Sequence, residues 1–403
     1  MSKRKMKDSG VEWLGEIPAE WDVDRIGSFY QHRNEKVSDK DYAPLSVTMK
    51  GVVAQLETAA KSDDGDNRKL VRKGDFAINS RSDRRGSCGI SSYDGSVSLI
   101  NTILTPRGQM DPGYYNWLFH TQAFADEYYK WGHGIVDDLW TTRWSEMKRI
   151  SIPRPTLSTQ RKIAEYLDVR CAKIDEMISD AKKTIEEYKA WKSSVIFEAV
   201  TGKCKIENGE CKIGGWAMRE SGVEWIGMIP EGWRVNRVKR IVRVENGSDP
   251  LTEGSIPVYG SGESSFKTCG EFKEGPTVLL GRKGATLHIP HYIEGRYWNV
   301  DTAFDVRMKG NDNLRWFYYL AISFDYKAYI SKTTLPSMTQ SNYNNMHVPH
   351  PPVTEQCAIA AFLDKKCAAI DRVIAEKESL IADLESYKKS LIFECVTGKM
   401  EVA

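Results

Sequence analysis

The chain has 403 residues, 41% hydrophobic and 28% charged, a composition that excludes a disordered or fibrous polymer and suits two to three soluble domains. No apolar run approaches a membrane span and the start MSKRKMKDSG is too polar for a secretory leader, so a cytoplasmic location is expected. The formal net charge is only +2, summing to zero over residues 1–151 and exceeding +2 in no segment, so any nucleic-acid footprint must be local or supplied by a partner.

In chain order the first signal is a box, SGVEWLGEIPAEW from Ser9, which returns as SGVEWIGMIPEGW from Ser221. Its Glu12, Trp13 and Trp21, like Glu224, Trp225 and Trp233 in the second copy, read as structural anchors at the start of each domain. Residues 22 to 151 follow, rich in short β-type runs and turns. KLVRKGDFAINSR reads as a turn and an apolar strand leading to Arg81, and YYNWLF from Tyr114 reads as a short aromatic helix. ISIPRP from Ile150 closes this segment as a strand running into a Pro turn.

From Thr156 to Glu198 there is no Pro or Gly. Leu167, Cys171, Ile174, Ile178, Ala181, Ile185, Tyr188 and Val195 recur at alternating spacings of four and three, with the polar Lys192 in the series. That is a heptad stripe on a helix of roughly 64 Å. It ends in IFEAVTGK. Residues 204 to 219 read as a linker, in which Cys204 and Cys211 stand apart with no CxxC pair to suggest a metal.

The second copy repeats the order after a period of roughly 200 residues. GPTVLLGRKG leads to Arg282, in register with Arg81, and Asp301-Thr302 answers Asn101-Thr102. LRWFYY from Leu314 answers the aromatic helix, and MHVPHP from Met346 answers the closing strand. Leu363, Cys367, Ile370, Ile374, Lys377, Ile381, Leu384, Lys388 and Leu391 then carry the stripe to IFECVTGK. The expected domains are 1–151, a helix over 152–203, the linker 204–219, a second domain 220–347 whose variable part runs from about 234, and a helix over 348–403.

A helix this long with one apolar stripe needs a partner. Head-to-tail copies of equal length can bury each other within one chain only antiparallel; a parallel dimer between chains is the other arrangement that a heptad allows. The expected fold class is α+β, with two α+β domains separated by an intramolecular antiparallel coiled coil of two long helices, a pseudo-twofold internal repeat. Catalytic signatures are missing: there is no GxxxxGK[ST] loop, no NPPY or DPPY motif and no glycine-rich cofactor turn.

The duplicated frame, the long heptad helices, the two diverged inserts and the missing catalytic motifs together resemble the specificity (S) subunits of type I restriction-modification systems. The most specific parts are KDSGVEWLGEIPAEW from Lys7, its copy at Ser221, and the Pro-rich turn before each helix, Pro153 to Gln160 and Pro349 to Gln356. The resemblance implies a non-catalytic subunit whose inserts are target recognition domains, each reading half of a split target on double-stranded DNA. It implies helices that space the inserts and dock two modification (methyltransferase) subunits, joined by restriction (translocase and nuclease) subunits. S-adenosylmethionine, ATP and Mg are then expected only on those partners, with no cofactor or metal in this chain. The competing readings are a structural coiled-coil adaptor and an enzyme with unrecognised nuclease or methyltransferase motifs. One departure is the end at Glu401-Val402-Ala403, soon after the second VTGK, which leaves little tail to close the frame near the N-terminus.

Reading DNA requires Arg or Lys for phosphates and guanine edges, with Asn, Gln, Ser or Thr for other base edges. The first insert offers Asn79, Ser80, Arg81, Arg84, Arg85 and Ser87 in a Gly-bounded loop, then Trp140, Thr141, Thr142, Arg143 and Trp144. The second offers Arg282, Lys283 and Thr286, then Lys332, Thr333, Thr334, Ser337, Thr339, Gln340, Ser341 and Asn342. The alternative for each is a solvated loop, with Asp83 offsetting the arginines.

Overall fold

The computed structural model describes residues 4–57, 65–81, 84–134, 140–262, 264–331 and 336–402. It divides into two compact units, Met1–Ala181 with Ser379–Ala403, and Lys182–Glu378. The two long helices run over Leu157–Val200 and Val353–Val396, 44 residues each. Each unit therefore holds one insert and a part of both helices.

In the first unit, Leu167, Cys171, Ile174 and Ile178 from the first helix share a buried cluster with Leu391, Ile392, Cys395 and Val396 from the end of the second. The start of one helix thus lies along the end of the other, which makes the pair antiparallel. The second unit repeats this with Ile196, Ala199 and Val200 against Ile359, Leu363 and Cys367. One lysine that interrupts each stripe is used. Lys388 Nζ lies 2.6 Å from Asp175 in the first unit, and Lys192 Nζ lies 2.7 Å from Asp371 in the second. Half-exposed ion pairs of this kind contribute about 0–1 kcal/mol each, so their main effect is on register: parallel pairing would set like charges side by side.

Each helix ends on a glycine in the left-handed region, Gly202 at φ 72° and Gly398 at φ 73°, the usual helix terminator. A Cβ on Gly398 would run into Pro18 and the Trp21 ring, and one on Gly202 into Pro230 and Trp233. The end of each helix is thus fitted against the box that opens the other copy. Trp21 and Trp233 are buried there, as anchors should be. The short tail does close the frame in the first unit: Arg4 Nη1 donates to the Gly398 carbonyl at 3.5 Å, and Met400 and Val402 pack on the same cluster as Leu14 and Trp21.

Both ends of each insert are held together beside this joint. Asp22–Arg25 pairs antiparallel with Ser151–Arg154, and Arg234–Arg237 with His347–His350. The Pro turn then starts the long helix. Gln160 and Gln356, buried one turn in, explain the motif that precedes each helix. Gln160 Oε1 accepts from the Asp111 amide at 2.8 Å while its Nε2 donates to the Pro155 carbonyl at 2.8 Å. Gln356 does the same for Asn313 at 2.7 Å and Pro351 at 3.0 Å. Asp111 and Asn313 are themselves the N-caps of the aromatic helices Pro112–Phe119 and Leu314–Ile322. Those helices are tied again to the long ones, by Trp117 Nε1 to Asp168 at 2.8 Å and Tyr319 OH to Asp364 at 2.7 Å.

The inserts share a four-stranded antiparallel sheet of one order. In the first it runs Cys88–Ile90, Phe76–Asn79, Asn101–Pro106, Tyr30–Arg33; in the second it runs His291–Ile293, Thr277–Gly281, Ala303–Met308, Val242–Asn246. Beyond that sheet they differ. The first adds Gly95–Val97, Arg68–Val71 and Lys36–Val37 with the hairpin Leu45–Thr48 and Gly51–Ala54, whereas the second adds a four-stranded sheet in which Ile256–Tyr259 runs parallel to Arg296–Asn299.

The segment 204–219 is not a plain linker. Cys204–Glu207 and Glu210–Ile213 form a hairpin on Asn208-Gly209, both at positive φ, the two-residue turn that matches strand twist. Cys204 and Cys211 are joined across it as a disulfide. Met218–Glu220 then pairs with Met228–Pro230, as Met6–Asp8 pairs with Glu16–Pro18.

Replacing Gln160 with Ala leaves the Asp111 amide and the Pro155 carbonyl unpaired at a cost of about 1–3 kcal/mol per buried group. The expected result is a melting midpoint several degrees lower by calorimetry, with no shift for Lys162→Ala on the exposed face of the same helix. Equal melts for the two variants would refute the role given to this carboxamide.

Candidate nucleic-acid interface

Strand Phe76–Asn79 runs out into Ser80 and Arg81, and the later segment returns to meet it. The Thr142 amide donates to the Ser80 carbonyl at 3.0 Å, and Arg81 and Thr141 form an antiparallel bridge. In the second insert the Met338 amide donates to the Arg282 carbonyl at 2.9 Å, and Lys283 bridges Ser337. The two candidate clusters of each insert are therefore adjacent, on the same edge of the shared sheet.

Hydrogen bonding corrects the residue correspondence. Asn79 stands opposite Asn101 and Gly281 opposite Ala303, so Arg282 matches Ser80, Lys283 matches Arg81, and Asp301 matches Leu99. The expected register, Arg81 with Arg282 and Asn101 with Asp301, is off by one and by two residues. Matching by residue identity cannot see which ladder position a side chain occupies, and one step along a strand exchanges its two faces.

Of the first-insert candidates, Arg81, Arg84, Arg85 and Arg143 are exposed and Thr141 is half-buried. Asn79, Ser80, Ser87 and Thr142 are buried, and the side chains of Asn79, Ser80 and Thr142 satisfy the backbone instead of presenting to a ligand. Asn79 Oδ1 accepts from the Arg81 amide at 3.0 Å, Ser80 Oγ donates to the Ile100 carbonyl, the Ser87 carbonyl accepts from the Asn79 amide at 2.9 Å, and Thr142 Oγ1 donates to Tyr128 O at 2.8 Å. Arg85 lies 3.6 Å over the Tyr129 ring and 3.8 Å from Asp126. Trp140 Nε1 is bound to the Tyr129 carbonyl.

An open cleft of about 350 Å³ gathers Arg81, Thr141, Arg143 and Trp144 with His32 and Lys69, and among the described residues no carboxylate lines it. His32 and Lys69 come from strands Tyr30–Arg33 and Arg68–Val71, far away in sequence, and carry no local motif. His32 stacks on Trp144 with ring centroids 6.0 Å apart. Lys69 Nζ donates to the Asn101 carbonyl at 2.7 Å, and burial pulls its pKa down.

The second insert is built differently at the same place. Arg282 Nη1 donates to the Asp301 carbonyl at 3.1 Å and lies 3.8 Å from the Asp301 carboxylate, to which Lys283 also comes within 3.5 Å. Thr286 Oγ1 donates to Ser261 O at 2.6 Å. Ser337 Oγ pairs with Ser331 Oγ at 2.8 Å. Gln340 Nε2 donates to Val244 O, and Asn342 completes a capping box with Thr339. Lys332, Thr333 and Thr334 lie outside the described residues. Among the described residues no group of three or more His, Cys, Asp or Glu is placed to hold a metal ion.

Residues 230–381 match the family model for a type I restriction modification DNA specificity domain. The chain is 23% identical to the type I restriction enzyme MjaVIII specificity subunit of Methanocaldococcus jannaschii, covering 96% of this chain and 94% of that one. It is 22% identical to the putative MjaX specificity subunit of the same organism, covering 96% of each. Among solved structures, it matches a chain from a study of assembly and conformational transition of the type I R-M system with TM-score 0.73 and 15% identity, covering 95% of this chain and 99% of that one. It matches the HsdS subunit of Thermoanaerobacter tengcongensis with TM-score 0.53 and 15% identity, covering 95% and 98%.

Burial, aided by the neighbouring Lys69, holds the His32 imidazole below its ordinary pKa of 6.5. A depressed folded-state pKa contributes stability that is present above the unfolded value and lost as pH falls through the folded one. The first insert should therefore melt progressively earlier below pH 6.5, and His32→Asn should remove that component of the pH dependence. Identical pH profiles for both proteins would show that His32 is not held neutral.

Proposed function

We infer that this chain is the DNA specificity subunit of a type I restriction-modification system, a subunit without catalytic chemistry of its own that works with the other subunits of the complex. The observation that carries this is the division between frame and insert. Two different α+β inserts are clamped at both ends by the same short antiparallel pairing beside the same helix joint, within a chain that matches specificity subunits over almost its whole length. A coiled-coil adaptor would have no use for two elaborated, differing ends.

Each insert reads one half of a split DNA target, with the domains at 1–151 and 220–347, while the constant helices set the unread gap and dock two modification subunits. Restriction subunits join that assembly. S-adenosylmethionine, ATP and Mg reside on these partners, and the complex works in the cytoplasm. In the first insert the cleft's cations supply phosphate and guanine contacts, a role supported by the clustering of Lys69, Arg81 and Arg143 with no carboxylate among the described lining residues.

Exchanging residues 234–347 for the insert of a relative should change one half of the methylated target and leave the other intact. Methylome sequencing of a host expressing the chimera with its modification subunits reads this directly; a change in both halves, or one continuous site for the parent, would overturn the modular reading.

A second expectation follows from the net charge of +2. Phosphate neutralisation dominates affinity, so the isolated chain should bind DNA weakly and the assembled complex tightly. In the complex, Arg81→Ala or Arg143→Ala should lower the slope of log K against log salt by about one if the residue contacts a phosphate. Nanomolar, sequence-specific binding by the chain alone at physiological salt would contradict this account.

A further inference from the structure

We propose that Arg282 and Asp301 act together as a specificity-determining pair that reads one G·C base pair in the second half-site. The proposal rests on the DNA-reading function above and adds to it an acidic residue at a position where the first insert has none. Asp301 occupies the turn position of Leu99, two residues before the paired Ala303 and Asn101, so the same edge of the sheet carries a carboxylate in one insert and an apolar side chain in the other.

A carboxylate on a surface that faces DNA repels phosphates, and its presence there calls for a donor on the ligand. Cytosine N4 is such a donor in the major groove, and Asp or Glu accepts from it. Asp301 is suitably placed: its side chain is 49% exposed, and it faces Arg282 and Lys283 at 3.8 and 3.5 Å without being enclosed by them.

Arg282 is held on one side only. Its Nη1 is fixed by the Asp301 carbonyl at 3.1 Å, and its guanidinium lies 5.8 Å from the centroid of the Phe304 ring. Among the described residues Nε and Nη2 have no hydrogen-bond partner and the side chain is 35% exposed, so one planar two-donor edge is unpaired. That edge matches O6 and N7 of guanine, the commonest specific contact in the major groove, and the neighbouring acceptor suits the paired cytosine. Because the guanidinium is restrained before binding, the fork is presented in one orientation, which favours the base over a diffuse phosphate contact.

The test uses the full chain assembled with its modification subunits, methylating a randomised library of duplexes. The wild type should require a G·C pair at one position of the second half-site. Asp301→Leu, which installs the residue found in the first insert, should reduce discrimination at that position roughly tenfold or more while leaving every other position unchanged. Asp301→Asn should retain part of it, since the amide oxygen still accepts. Arg282→Lys keeps the charge and loses the planar fork, so it should relax the same position even if the Leu variant assembles poorly. Preserved discrimination in Arg282→Lys, or a uniform loss across all sequences in an Asp301→Leu complex that assembles as the wild type does, would overturn the proposal. A wild type that methylates without any split target would instead overturn the function on which it rests.

Discussion

The structure depends on the antiparallel burial of two copies of one apolar stripe. Because the copies run in opposite directions, the end of each helix is delivered to the box that opens the other copy, and the two best-preserved motifs become two halves of one joint. Gly398 is fitted against Pro18 and Trp21, and Gly202 against Pro230 and Trp233. Only glycine serves there, since the left-handed backbone and the approach of the indole both exclude a Cβ. Lys192 and Lys388, which look like defects in the stripe, meet Asp371 and Asp175 and make the opposite polarity electrostatically unfavourable.

That joint separates what must stay constant from what is free to change. Strands Asp22–Arg25 and Arg234–Arg237 pair with the strands that close their own inserts, so each insert leaves and rejoins the frame at one place. Gln160 and Gln356 brace the same corner by satisfying a helix cap and a proline carbonyl together. Buried backbone groups at the corner therefore have their partners whatever the insert's outer sheet does. The inner four strands keep one order in both inserts, and the outer strands do not.

The two candidate reading edges sit at equivalent places and carry different electrostatic arrangements. In the first, Lys69, Arg81 and Arg143 line a cleft with Trp144 and, among the described residues, no acid. In the second, Asp301 stands between Arg282 and Lys283. Many of the polar side chains that accompany them, such as Asn79, Thr142 and Asn342, satisfy the backbone. They shape the edge and leave its few exposed charged groups to meet a ligand.

The sequence by itself determined the repeat and the two long helices, because a period-3.5 stripe and the order of the copies are local and countable, and it favoured antiparallel pairing within the chain, which the buried clusters of the structure then decided. It also pointed to the candidate edges, since Arg81, Arg143, Arg282 and Lys283 stand beside strand ends and turns that short patterns reveal. It could not set the register of the two edges, where matching Arg with Arg was off by one. Nor could it show that His32, Lys69 and Asp301 join them, or that the segment after Gly202 is a hairpin whose Asn208-Gly209 turn was the one available hint. Those features were decided by the tertiary structure, because a side chain's face and neighbours follow from strand pairing between residues far apart in the chain, and an isolated residue carries no local signal of its partner.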